Sequence, residues 1–185
     1  MHVYMTSIED DKRSKFEKLY VEYRQAMFHV ANSILKDEQL SQDAVHEAFL
    51  KLIKYLDKID EIKCYKTEIF LDIIVKNISI NIYNKRNKEN NLSFDEVQNY
   101  IYDENSNVER KLLSKFEYDK LVQSIMDLPL NYSNVLLLKY IHGYSDDEIA
   151  DILDISKENV RKRAERGRKK LLKIIQKGSN TDGDG

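Results

Sequence analysis

The chain has 185 residues but only 5 glycines and 1 proline, and Gly178, Gly183 and Gly185 lie in its last eight positions. A P-loop or dinucleotide-binding loop needs clustered glycines to bring backbone against phosphate, and a β-rich fold needs frequent turn residues, so both are excluded and the chain reads as all-α. The formal net charge of −2 conceals strong segregation.

Residues 161–173 carry Arg161, Lys162, Arg163, Arg166, Arg168, Lys169, Lys170 and Lys173 against the single acid Glu165, a net of +7. Residues 143–155 carry Asp146, Asp147, Glu148, Asp151 and Asp154 and no base. Lys76, Lys85, Arg86 and Lys88 form a second basic stretch, followed by six acids against Arg110 in residues 89–110. The local map, not the whole-chain charge, points to nucleic acid.

Phe16, Leu19, Tyr20, Tyr23, Met27, Val30, Ala31 and Ile34 recur at helical spacing and predict a first amphipathic helix of about five turns. A second helix places Val45, Ala48, Phe49, Leu52, Ile53 and Leu56 on one face. The third, about Glu68 to Lys85, is apolar around much of its circumference, which suits the centre of a bundle. The pattern then decays into an Asn-rich acidic segment, read as a flexible linker over 87–110.

Periodicity resumes at Leu112, Leu113, Phe116, Leu121 and Ile125 and stops at Leu128-Pro129. A helix burying Val135, Leu136, Leu138 and Tyr140 is expected to end at Gly143, a natural residue just past a helix C-terminus. Ser145 and Glu148 form a capping-box pattern for a short helix burying Ile149, Ala150 and Leu153. Ser156 caps a last long helix with the stripe Val160, Ala164, Gly167, Leu171 and Ile174, and the tail 176–185 is expected to be disordered.

A capped short helix, a turn of about three residues and a capped basic helix make up helix-turn-helix grammar. Lys157, Glu158, Asn159, Arg161, Lys162, Arg163 and Arg166 are then candidates to reach base edges or phosphates. The acidic run from Asp146 to Asp154, together with the acidic linker, is expected to shield these bases in the free protein. An ordinary solvated basic helix is the competing reading.

Enzymatic readings find little support, and no cofactor or metal is expected. His46-Glu47 begins a zinc-protease helix motif, but Leu50 occupies the place of its second histidine. Cys64 is the sole cysteine, which excludes an intrachain disulfide and fits a cytoplasmic setting. No apolar run exceeds Val135–Leu138, far short of the roughly 18 residues of a membrane span. Met1 to Asp11 has no apolar core and carries acids, so no signal peptide is expected.

Leu128–Leu171, LPLNYSNVLLLKYIHGYSDDEIADILDISKENVRKRAERGRKKL, resembles the C-terminal helix-turn-helix domain of bacterial sigma factors of the extracytoplasmic-function group. DAVHEAFLKLIKYL, Asp43–Leu56, is similar to that family's polymerase-clamp-binding helix. FLDIIVKNISINIYNKR, Phe70–Arg86, is similar to its segment that melts and reads the downstream promoter element. The resemblance implies an N-terminal domain over 1–86, the linker over 87–110 and a DNA-binding domain over 111–175. It implies Asp43, His46 and Glu47 for polymerase binding, and Lys76, Asn77, Asn81, Lys85 and Arg86 for the downstream element. The partners it implies are core RNA polymerase, promoter DNA and an anti-sigma factor, without membrane insertion.

The family pattern is departed from at His46, where Gln is usual, and at Phe70, Asn81 and Asn84-Lys85-Arg86, where Trp, Asp and an Arg run are usual. Asp154 stands where Gly is common in the helix-turn-helix turn. Two other readings stay open on the residues alone. One is a DNA-binding regulator that is not a polymerase subunit; the other is a helical scaffold with no nucleic-acid role.

Overall fold

The computed structural model describes residues 10–88 and 116–179, all of whose regular elements are helical. The chain divides into two compact units, Met1–Ser93 and Phe94–Gly185. The expected linker, beyond Asn87 and Lys88, and the last six residues lie outside the described residues.

The first unit contains three long helices: α1 (Asp10–Leu35), α2 (Glu38–Ile53) and α3 (Tyr65–Lys88). Asp10 and Asp11 in its first turn complement the dipole of α1. Lys36 closes that helix in the left-handed region, at φ 52°, and its N–H donates to the Asn32 carbonyl at 3.0 Å. Asp37 then caps α2, accepting from the Leu40 N–H at 3.0 Å. Two residues thus reverse the chain.

Close approach of the helices rests on small residues: Ala31, Ala44 and Ala48 are fully buried. Phe49 fills the space they leave, packing edge-on against Phe16 with ring centroids 5.8 Å apart and against Tyr20 at 4.9 Å. Ile69, Phe70, Leu71, Ile73, Ile74, Val75 and Ile78 are buried along α3, as its broad apolar circumference predicts, whereas Ile80 and Ile82 are only half-buried. A 3-10 turn at Leu56–Lys58 drops Leu56 and Ile59 into the same core. Tyr23 pins the loop before α3, donating to the Ile62 carbonyl at 2.7 Å, and burial raises its hydroxyl to about 12.

The second unit has four helices: α4 (Phe116–Met126), α5 (Leu130–Leu136), α6 (Asp146–Leu153) and α7 (Lys157–Ser179). Past Leu136, α5 widens into a π turn over Leu137–Ile141. At ordinary helical spacing Tyr140 shares the face of Leu136, which is the basis for expecting it inside. The wider turn rotates it outward, and Tyr140 is exposed. Gly143, at φ 73°, ends the turn, and the Tyr144 N–H donates back to the Leu138 carbonyl at 3.0 Å.

The stripe on α7 is buried at Val160, Ala164 and Gly167, half-buried at Leu171 and exposed at Ile174. At Gly167 a Cβ would meet Leu136 Cδ1 at 3.1 Å and Tyr132 Cβ at 3.3 Å. Glycine there lets α7 lie directly on α5. The helix continues to Ser179, so Gln176, expected to open a disordered tail, is helical.

Candidate nucleic-acid interface

The turn between α6 and α7 is built as its residues dictate. Ser145 Oγ accepts from the Glu148 N–H at 3.3 Å, and Glu148 Oε2 accepts from the Ser145 N–H at 2.9 Å, completing the capping box. Asp154 adopts the left-handed conformation at φ 53°, ψ 48°, standing in for the usual glycine. The Ile155 N–H then donates to the Ala150 carbonyl at 3.1 Å, and Ser156 Oγ caps α7 by accepting from the Asn159 N–H at 3.2 Å. Two caps and one left-handed residue fix the angle at which α7 leaves.

The candidate DNA-reading residues divide into two sets on that helix. Lys157, Glu158, Asn159, Arg161, Lys162 and Arg166 are all exposed, whereas Val160 and Ala164 on the same helix are buried. Arg163 is not among them. It lies half-buried at the flank of the packed face, where burial lowers its guanidinium pKa and Tyr132 partly offsets that effect. Lys170 stands 5.7 Å over the Tyr132 ring.

Several of the exposed bases are already paired. Lys162 meets Glu158 at 2.6 Å within α7, and Lys157 meets Asp147 at 2.7 Å across the turn. Arg161 Nε donates to Asp146 Oδ2 at 3.4 Å, while Lys139 Nζ bonds the other oxygen of the same carboxylate. The Lys139 hydrogen bond is the main reason that the Asp146 carboxyl sits below the usual aspartate range. Charge counting along the sequence places acids opposite bases but cannot pair them, so Lys139 and the pairing of Asp146 with Arg161 emerge only from the fold.

In the first unit, Asp43, His46 and Glu47 are exposed within one turn of α2. His46 also lines a cleft of about 550 Å³ with Gln42 and Val45 of α2 and Tyr20, Arg24, Gln25 and Phe28 of α1. Arg24 lies 5.8 Å over the Tyr20 ring. Of the three residues singled out on α2, only His46 lines this cleft, and the α1 side carries no motif of its own. Along α3, Asn77 is half-buried, Asn81 follows one turn later and is exposed, and Lys85 and Arg86 are exposed near the helix end. Lys76 is paired with Asp72 at 2.8 Å, and Arg86 lies 3.7 Å from Asp37, the cap of α2. These residues share one stretch of α3, from Lys76 to Arg86.

No group of three or more His, Cys, Asp or Glu residues is placed to hold a metal among the described residues, and no helix there is long and apolar enough to cross a membrane.

A family model described as Sigma-70 region 2 matches residues 19–89, and one described as Sigma-70, region 4 matches residues 118–171. The chain is similar to the ECF RNA polymerase sigma factor SigM of Bacillus subtilis (strain 168), at 25% identity over 170 residues, covering 90% of this chain and 98% of SigM. It is also similar to SigW of the same strain, at 25% identity over 161 residues, 83% of this chain and 85% of SigW. Among solved structures, CnrH in complex with the cytosolic domain of CnrY gives a TM-score of 0.36 at 20% identity, over 92% of this chain and 89% of that one. The sigma factor RpoE in complex with the anti-sigma factor NepR from Bartonella quintana gives 0.35 at 16% identity, over 87% and 96%.

Proposed function

Because the chain belongs to the sigma-70 family, in its extracytoplasmic-function group, we propose that its two units divide the work of promoter recognition. The protein is a transcription initiation factor rather than an enzyme, and it directs RNA polymerase to promoters. In our reading the second unit, with α7 as recognition helix, reads the upstream promoter element as duplex. The exposed bases of its first two turns reach base edges, and Arg168, Lys169 and Lys173 further along the helix meet phosphate.

The first unit holds core polymerase through Asp43, His46 and Glu47 and receives the separated strand along α3. Asn77 and Asn81 pair with base edges there, and Lys76, Lys85 and Arg86 track the backbone. The acidic segment 89–110 is suited by its charge to a basic channel of the polymerase. The protein acts in the cytoplasm, where polymerase and DNA are, and an anti-sigma factor is a proposed further partner. The observation that carries this reading is a doubly capped helix-turn-helix whose second helix is basic on its exposed side, in one chain with a region 2 match.

Asn77 separates opening from binding. Asn77→Ala should leave polymerase binding and upstream recognition nearly unchanged, and lower the open-complex equilibrium by ~1–3 kcal/mol, the usual cost of a lost base contact. A pre-melted bubble template should restore much of the transcription, since unpairing no longer has to be driven. Permanganate footprinting on duplex and bubble promoters, with thermal unfolding of the mutant, checks this. An unaltered footprint removes the base-reading role, and a lowered melting temperature with equal defects on both templates makes Asn77 a packing residue.

A further inference from the structure

Asp146 and Asp147 are neighbours in the first turn of α6, and each pairs with a base one turn from the other on α7. Their settings differ. The Asp147 side chain is 71% exposed and holds Lys157, a point charge, by one oxygen. The Asp146 side chain is 18% exposed and has both oxygens engaged, by Lys139 from the π turn and by Arg161 from α7.

A carboxylate that meets a recognition-helix base can hide it or aim it. Asp147 is of the first kind, because a lysine ammonium has one charge centre and the acid occupies it. At Asp146 the charges run differently. Lys139, Asp146 and Arg161 together sum to +1, so the trio still attracts phosphate and base acceptors. The contact to Arg161 is also made through Nε, at the base of the guanidinium. Its two terminal amino groups carry no hydrogen bond among the described residues. Those two groups form the fork that matches O6 and N7 of guanine. An arginine held at Nε has already lost part of the side-chain freedom that base contact would otherwise remove.

Resting on the reading of α7 as recognition helix, we propose that Asp146 is a positioning residue that aims Arg161 at a guanine of the upstream promoter element, with Lys139 holding the carboxylate in place. Asp146 sharpens sequence discrimination rather than shielding the basic helix. Asp147 competes with DNA for Lys157 and lowers affinity alike on every sequence.

The test is a selection from a duplex library randomised over the upstream region, using the full chain assembled on core RNA polymerase. Wild type should enrich one motif, and Arg161→Ala should lose the preference at one guanine within it. Asp146→Asn should lower preference for that same guanine about tenfold. Asp147→Asn makes the same change in charge, and should keep the motif while raising retention on all duplexes. In an Arg161→Lys background, which retains charge but not the fork, Asp146→Asn should change the motif no further.

An Asp146→Asn motif equal to wild type, with Arg161→Ala still losing the guanine, overturns the positioning role alone. So does a sharper motif, which makes Asp146 a shield, or an even weakening of every position together with a lowered melting temperature, which makes it structural. No motif with wild type, or no change with Arg161→Ala, overturns the recognition helix itself.

Discussion

The two units present their functional residues in opposite ways. In the second, the elements that create the site are local: Ser145 with Glu148, Asp154, and Ser156 lie within twelve residues and set the direction of α7 by hydrogen bonds at the turn itself. In the first, the candidate surface is carried by α1, α2 and α3 together, and what orients it is the core beneath, where Phe49, Phe16 and Tyr20 meet. A motif-built site depends on caps and one unusual backbone conformation, whereas a packing-built site depends on volume. Damage to each unit should therefore follow different rules.

The largest effect is expected from the packing-built unit. Phe49→Ala removes a ring that is almost wholly buried between two helices and should cost the first unit ~3–5 kcal/mol. Calorimetry should show the transition of that unit falling while the other stays in place. A common shift of both would mean that the units do not fold separately.

Cap removal is the matching change in the second unit. Ser145→Ala should cost about 1 kcal/mol and leave the first transition untouched. Circular dichroism melts of the full chain measure both.

Smaller again is a pair of gains. Lys36 and Asp154 both sit in the left-handed region, at φ 52° and 53°. A lysine has no short polar group to support that conformation, and an aspartate does, so Lys36→Gly should stabilise by ~1 kcal/mol and Asp154→Gly by less. Equal gains would contradict the special tolerance assigned to Asp154.

The smallest contrast is in pH. Burial, with Asp72 adding to it, raises the Glu68 pKa above its ordinary 4.5, so its contribution to the first unit is lost as pH rises through the folded value and regained as pH falls to 4.5. The Lys139 hydrogen bond lowers Asp146 below its ordinary 3.8, so its contribution to the second unit is present above 3.8 and lost as pH falls through the folded value. Melting of each unit between pH 6 and 3 should show these opposite slopes. Glu68→Gln should flatten the first and Asp146→Asn the second.

The same contrast explains how far the sequence could be read. Caps and a basic run are encoded within a few residues, so the helix-turn-helix was legible at Ser145, Glu148 and Ser156, while Asp154 stood out only as the position where the family commonly has Gly. Tyr140 defeated the periodicity because a π turn changes the angle per residue, and nothing in its composition announces one. Arg163 is half-buried beside exposed basic neighbours, a difference that charge alone does not reveal. The pairing of Lys139 and Arg161 on Asp146 joins residues up to 15 positions apart, which spacing rules do not connect. In the first unit, Tyr20, Arg24, Gln25 and Phe28 belong to the His46 cleft because α1 packs on α2, and only the packing brings them there.

Transcription in vitro by core RNA polymerase, with and without the full chain, on a library of genomic fragments tests the central claim most directly. We expect transcript starts that appear only with the chain, preceded by a shared upstream element, and lost when Arg161→Ala replaces wild type at equal polymerase occupancy. Tight binding to polymerase with no chain-dependent starts, or starts that share no element and ignore Arg161, would contradict the account.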